Sequence, residues 1–394
     1  MALAFPLMKQ TLYRSIAYTN LTNVLQFRNE DERTWWEETA SIIGNIMERA
    51  DYDILRQYSY LLFFHEIILS ALGPCPRPDS TPQWKSFMTD DFTPMDVSWN
   101  FSANSSLVRF AIEPIGSLAG TPHDLFNSYE AIEFLERIRH VSLIADLDLQ
   151  WFTHFANCIT IQNDKAQHVT KEFLKNEHMS QIFFALDLDH SKVSMKSYLF
   201  PNLKSIESGI SPLDLVSKAI AQLSNESTVN CAWSSVEDYM RSTASGSQCK
   251  LEFVALDCVN PLQSRIKVYF RTPCTAFDQV RDIFTLGGRL KDETTRTAVE
   301  TLKELWWLVL NLSDEVLDTD ELVHRDQSQH PTVGTLFNFE IKPGKNVPEP
   351  KVYIPVRHYA RSDIDIAQGL TRFFQRCQWL SLADSYMTNL KDIL

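Results

Sequence analysis

The chain has 394 residues, of which 44% are hydrophobic, 11% aromatic and 22% charged, enough apolar matter for a substantial core and too little charge for a disordered chain. A formal net charge of −13 argues against nucleic acid or an anionic membrane surface as a general partner, because either needs a broad basic footprint. Any anionic ligand must then be met by a local cluster of Lys and Arg working against the global field.

The opening MALAFPLMKQ has too short an apolar run for a secretory signal, and SYLLFFHEIILSALG (59–73) is interrupted by His65 and Glu66. Seven cysteines, Cys75, Cys158, Cys231, Cys249, Cys258, Cys274 and Cys377, are scattered without a CxxC pair. That usage suits reduced thiols and suggests no zinc site. A cytoplasmic protein is expected.

Two helical stretches come first. WWEETASIIGNIMERA (35–50) and YDILRQYSYLLFFHEIILSALG (52–73) carry apolar residues at three- and four-residue spacing, ending at Gly73-Pro74. MDVSWNF (95–101) and LVRFAIEPI (107–115) then read as two strands joined by a short polar loop. A helix follows, SYEAIEFLERIRHVSLI (128–144), with Ser128 as its cap.

The same grammar recurs three times. QIFFALDL (181–188) pairs with KVSMKSYLFP (192–201), and a helix opens at Ser211-Pro212. LEFVALDCV (251–259) pairs with SRIKVYFRT (264–272), followed by TAFDQVRDIFTL and the long ETTRTAVETLKELWWLVLNL. TLFNFEIKP (335–343) pairs with PKVYIPVRHY (350–359), followed by SDIDIAQGLTRFFQRCQWL. Units repeated at roughly seventy- to eighty-five-residue intervals cannot bury their faces singly, and antiparallel pairs ringed by helices can do so by closing into a barrel, with an open α+β sandwich as the alternative. The absence of a long Pro-, Ser- or charge-rich linker favours one domain over 1–394.

Three of these units place a Lys and a Tyr two residues apart on the second strand: Lys196 with Tyr198, Lys267 with Tyr269, Lys351 with Tyr353. Alternate strand residues share a face, so each strand offers an ammonium and a phenol to one side. Arg265 joins that side in the third unit, and Arg109 stands on the corresponding strand of the first. Cations gathered in a protein interior are costly without an anion, because each loses several kcal/mol of hydration. A diphosphate suits them, as Lys and Arg are charge-assisted donors and Arg binds oxygens in a fork. Phenol rings over an allylic carbocation would stabilise it through their negative faces and exclude water. No DDxxD run is found: Asp90-Asp91 is followed by Phe-Thr-Pro, and Asp363 and Asp365 begin a helix. Fixed cations take the place of a chelated metal in this reading.

The segments SWNF with VRFAIEPIG, FFALDL with KSYLFP, ALDCVNPLQSRIKVYFRT and PKVYIPVRHYARSD, in that order, resemble the fungal dimethylallyltryptophan synthase type of aromatic (indole) prenyltransferases over roughly residues 60 to 390. The resemblance implies an α+β fold, the αββα barrel of ten antiparallel strands within a ring of helices. It also implies a metal-independent enzyme with no required cofactor. Its substrates would be a prenyl diphosphate, usually dimethylallyl diphosphate, and a small aromatic acceptor. Arg109, Lys196, Arg265, Lys267 and Lys351 match the family's diphosphate-binding cations. Tyr198, Tyr269 and Tyr353 match its cation-shielding tyrosines, and Tyr386 is carried as a further one.

In this family a Glu before the SWN-like segment typically accepts the indole N–H; here that position is Asp96. Phe183, Phe184, Phe253 and Phe200 suggest an apolar acceptor pocket. The expected reaction is Friedel–Crafts alkylation of an electron-rich ring, by a monomer or homodimer. A terpene cyclase acting on farnesyl or geranylgeranyl diphosphate is the alternative, and a non-catalytic binder of an isoprenoid anion a third reading.

Overall fold

Antiparallel pairing of strands that are neighbours in the chain builds the sheet. The structure is a computed structural model and describes residues 13–77, 81–102, 105–144, 146–161, 178–223, 227–325 and 330–393. Its strands are β1 (Met95–Phe101), β2 (Ser106–Ile112), β3 (Ile182–Leu188), β4 (Val193–Leu199), β5 (Lys250–Asp257), β6 (Ile266–Thr272), β7 (Thr335–Ile341) and β8 (Glu349–Tyr353). Strand order follows chain order. These are the four hairpins read from the sequence. The count is eight among the described residues, against the ten implied by the family resemblance; beyond the eight, only isolated bridges occur. The last strand is also shorter than expected. β8 stops at Tyr353, and Val356–Tyr359 turns helical after Pro355, which lacks the N–H a ladder requires.

Contacts divide the chain into two compact units, Met1–Ile210 with Leu256–Asn260 and Asn389–Leu394, and Ser211–Ala255 with Pro261–Thr388.

In the first unit, β1 to β4 pair in register, and one face of this ribbon is apolar apart from the buried Ser197. Val108, Phe110, Ile112, Phe184, Leu186, Leu188, Val193, Met195 and Leu199 all lie buried there. The helices Tyr129–Ile138 and Gln150–Ile159 present Phe134 and Phe152 to Phe184, at centroid distances of 5.3 and 5.8 Å. Burying each such side chain contributes about 1.5–3 kcal/mol relative to exposure, so this face fixes how the strands lie. Tyr52, just ahead of the helix Ile54–Phe63, ties the N-terminal helices to the ribbon: its hydroxyl accepts from Val108 N at 3.1 Å and donates to the Leu188 carbonyl.

The helix Tyr129–Ile138 is capped differently from the expectation. The Ser128 side chain makes no cap hydrogen bond; the Asp124 carboxylate accepts from the N–H groups of Ser128 at 2.8 Å and Tyr129 at 3.3 Å. A carboxylate at a helix start satisfies orphan donors and complements the dipole, which an intervening hydroxyl does less well. Ser211 does cap its helix, accepting from Asp214 N with Pro212 in the first turn.

In the second unit, β6, β7 and β8 repeat the plan. Ile266, Val268, Phe270, Phe337, Phe339 and Ile341 form the buried apolar face. The helix Ser227–Ser242 packs on β7, and Phe277–Phe284 packs on β8. Behind them, the long helix Glu293–Leu310 lies against Asp363–Arg376 at unusually close range. Gly369 permits this: a Cβ there would stand 2.3 Å from the Leu308 carbonyl oxygen and 2.8 Å from Val309 Cα. Gly369→Ala is therefore expected to destabilise the protein by about 1–3 kcal/mol, the usual range for overpacking. The midpoint of denaturant unfolding should fall at unchanged slope, and an unchanged midpoint would show that the helices yield freely.

Candidate active site

The face of each ribbon opposite its apolar side carries the residues singled out from the sequence, because they alternate with the buried ones. In the first unit, register sets Arg109 against Ser98 on one side and Asp187 on the other, and Lys196 against Ala185. Asp187 Oδ1 accepts from Arg109 Nε, while Oδ2 accepts from Arg109 Nη2 at 3.0 Å and from Lys196 Nζ. Asp187 and Lys196 are both buried. Burial acts to raise the Asp187 pKa, but the Arg109 hydrogen bond and the charges of Lys196 and Arg109 outweigh it, so the carboxylate sits below its ordinary value. Lys196 is pushed below the usual ammonium value by burial and by the Arg109 charge, against the pull of Asp187 and Asp257.

Tyr198 stands opposite Phe183 on the same face, and Phe183 packs on Phe200 at 4.8 Å. Phe200 also meets His178 at 5.0 Å, and His178 stacks on Phe87 at 3.9 Å, so an aromatic cluster gathers at this end of β3 and β4. Phe184 is not part of it. Adjacent strand residues face opposite ways, and Phe184 is buried under the helices.

Asp96 lies on β1 opposite Ala111. Its side chain is exposed, yet the surrounding protein desolvates the carboxylate and raises its pKa above the ordinary 3.8.

In the second unit, Glu340 of β7 is the hub. Register pairs it with Lys267 and Glu349. Its Oε2 lies 3.4 Å from Arg265 Nη1, 3.4 Å from Lys351 Nζ and 4.0 Å from Lys267 Nζ, and its Oε1 lies 2.7 Å from Lys342 Nζ. The Glu340 side chain is only 1% exposed, while that of Lys351 is 54% exposed. Burial acts to raise the Glu340 pKa; the Lys342 hydrogen bond and the charges of Lys351, Arg265 and Lys267 reverse this and bring it to about 2. Three cations thus converge on one carboxylate oxygen.

Tyr269 and Tyr353 lie on the same face, two residues along from Lys267 and Lys351. Phe253 stacks on Tyr269 at 4.2 Å, and Tyr269 meets Tyr353 at 5.9 Å with the two hydroxyls 3.2 Å apart. Asn338 Nδ2 donates to Tyr353 Oη at 3.2 Å. Arg271, also on this face, is held by Glu252 through two hydrogen bonds of 2.6 and 3.1 Å. Tyr386 lies elsewhere, on the helix Leu380–Ile393, with its ring edge-on to Phe374 at 5.4 Å.

Sequence reasoning missed the carboxylates. Even-numbered strands carry Arg109, Lys196, Lys267 and Lys351, and β3, β5 and β7 carry the buried Asp187, Asp257 and Glu340. The signal available was the repeated Ala-Leu-Asp at 185–187 and 255–257. Among the described residues, no group of three or more His, Cys, Asp or Glu could hold a metal ion, and no helix is long and apolar enough to cross a membrane.

The family model for tryptophan dimethylallyltransferase matches residues 31–389. A 7-dimethylallyltryptophan synthase of Aspergillus fumigatus is 39% identical over 375 residues, covering 91% of this chain and 77% of that protein. A 4-O-dimethylallyl-L-tyrosine synthase of Claviceps purpurea is 35% identical over 367 residues, 92% of this chain and 80% of that protein. The crystal structure of AnaPT from Neosartorya fischeri superposes with a TM-score of 0.82 at 26% identity, covering 95% of this chain and 88% of that one. NotF, solved with brevianamide F and DMSPP, shares the fold with a TM-score of 0.81 at 24% identity, covering 96% of this chain and 90% of that one. The chain belongs to the tryptophan dimethylallyltransferase family.

Proposed function

We propose that this protein transfers a dimethylallyl group from dimethylallyl diphosphate to an indole or related electron-rich aromatic ring by metal-independent Friedel–Crafts alkylation. The observation that carries the proposal is the convergence of Arg265, Lys267 and Lys351 on one oxygen of Glu340, beside the Phe253–Tyr269–Tyr353 stack. Clustered cations on the same face as electron-rich rings suit an allylic diphosphate that ionises.

In this reading Arg109 and Lys196 of the first unit, with Arg265, Lys267 and Lys351 of the second, bind the diphosphate. Their charges stabilise the leaving group as the C–O bond breaks, a role in which preformed electrostatics outweigh other contributions. Tyr198, Tyr269 and Tyr353 shield the allyl cation, and Tyr386 has a helical setting that makes it a less direct member of the set. Asp96 accepts a hydrogen bond from the acceptor's ring N–H or O–H, feeding electron density into the ring as the C–C bond forms; loss of the ring proton restores aromaticity. Relatives named for tryptophan and for tyrosine support an aromatic acceptor and a dimethylallyl donor. The family match runs through both compact units, which supports one catalytic domain and completion of the sheet as a ten-stranded barrel. Free cysteines at all seven positions favour a reducing compartment, the cytoplasm.

Purified protein incubated in EDTA with dimethylallyl diphosphate and a panel of indoles and phenols is expected to form prenylated rings. No product across the panel, or hydrocarbon formed from farnesyl diphosphate alone, would overturn the reading. Lys267→Ala should lower kcat/KM for the diphosphate on the order of 10²-fold, as loss of one leaving-group donor does elsewhere.

Asp96 supplies a pH test. Its raised pKa means that the proton-accepting carboxylate forms only above a pH higher than the ordinary 3.8, so activity should fall on the acid side with a midpoint above that value. Asp96→Asn should remove that limb and cost on the order of 10²–10⁴ in rate. An acid limb that persists in Asp96→Asn assigns it to another group.

A further inference from the structure

We propose that Asp187 and Glu340 are positioning residues for the diphosphate grip, each holding the cations of its own unit around one buried carboxylate before the anionic substrate arrives. The inference rests on the reading above, in which those cations bind the diphosphate.

The geometry is specific. Both oxygens of Asp187 are engaged, Oδ1 by Arg109 Nε and Oδ2 by Arg109 Nη2 and Lys196 Nζ, so guanidinium and ammonium are locked to one planar group. Glu340 divides its oxygens: Oε1 faces Lys342, and Oε2 faces Arg265, Lys351 and Lys267. Lys342 is tied in turn to Glu349 at 2.8 Å. Long side chains of like charge would otherwise splay apart and lose rotamer entropy again on binding. A shared carboxylate prevents both, holding two cations at Asp187 and four at Glu340.

Repetition argues against accident. A carboxylate stands on each of β3, β5 and β7, between the cation-bearing strands in chain order, and Asp187 and Asp257 occur in the same Ala-Leu-Asp setting. Asp257 also supports the charge of Lys196. A structural ion pair would need one partner for each carboxylate, whereas these carboxylates collect several, all on the face opposite the helices.

The test is calorimetric titration of inorganic pyrophosphate into the wild type, Asp187→Asn and Glu340→Gln, with thermal melting to confirm folding. The dissociation constant is expected to rise at least tenfold in each variant, with the KM for dimethylallyl diphosphate following. Asp187→Glu and Glu340→Asp, which keep the charge but displace it by a methylene, should recover part of the loss. The pH dependence of binding gives a second readout. Lys196 is faced by Arg109 from β2, Asp187 from β3, and Asp257 with Cys258 at the end of β5. Removing the Asp187 charge lowers the Lys196 pKa further, so the alkaline loss of pyrophosphate binding should move to lower pH in Asp187→Asn.

Folded variants that bind pyrophosphate as well as, or more tightly than, the wild type, with an unmoved alkaline limb, would overturn the proposal; the carboxylates would then only dilute the positive field. If Asp187→Asn does not fold, the Glu340→Gln and Glu340→Asp pair decides on the same terms. A wild type that binds no pyrophosphate sinks the diphosphate reading itself and this inference with it, a result distinct from variants that match a competent parent.

Discussion

A charged side chain inside a protein must be compensated, and that constraint organises both units. Moving an ammonium or guanidinium out of water costs several kcal/mol even after relaxation. This chain buries or half-buries Arg109, Lys196, Arg265 and Lys267 on strand faces while carrying a net charge of −13. Carboxylates on the adjoining strands make this tolerable: Asp187 for the first pair, Glu340 for the second. In the proposed function, the same arrangement that lets the protein fold also presents these cations to an anionic substrate. Folding and binding draw on one electrostatic balance.

The helices matter to this balance through the other side of each strand. Phe184 is clamped by Phe134 and Phe152, and its neighbours Phe183 and Ala185 point the opposite way. Rotating a strand about its axis would expose buried apolar area on one face while burying ions on the other. The period-two alternation therefore couples core packing to charge placement, and a well-packed helical layer makes the positions of Lys196 and Lys267 as definite as those of core residues. Such rigidity is what a site needs when its charges must stabilise a leaving group without rearranging.

How much of this was legible in the sequence depended on whether a signal was local. The four hairpins, the Ser211-Pro212 helix start and the Lys-x-Tyr repeats all lie within a few residues of one another, and the structure places them as read. Asp187 and Glu340 were not recognised, since nothing in Phe-Phe-Ala-Leu-Asp-Leu or Asn-Phe-Glu-Ile says that a cation stands across the ladder; that follows only from register with a distant strand. Grouping Phe184 with Phe183 ignored the alternation that otherwise guided the reading. Asp124 displaced Ser128 as the cap because its carboxylate, four residues upstream, reaches the first helical N–H groups across a local turn that the Ser-cap reading did not consider. Tyr386 was placed by resemblance alone, and it stands on a helix, edge-on to Phe374, rather than on a strand.

The first unit also separates two carboxylates that share a sheet face. Asp187 is held below the ordinary range by Arg109 and Lys196; Asp96, two strands away in chain order, is moved above it by burial. Opposite displacements of paired acids mark different roles. A carboxylate gripped by a guanidinium and an ammonium has its lone pairs committed and stays ionised, so it serves as a fixed counter-charge. A carboxylate crowded by protein and raised by burial gains most from accepting a hydrogen bond or a proton. In the proposed reaction, Asp96 is therefore the acid that faces the acceptor, while Asp187 holds Arg109 and Lys196 for the leaving group.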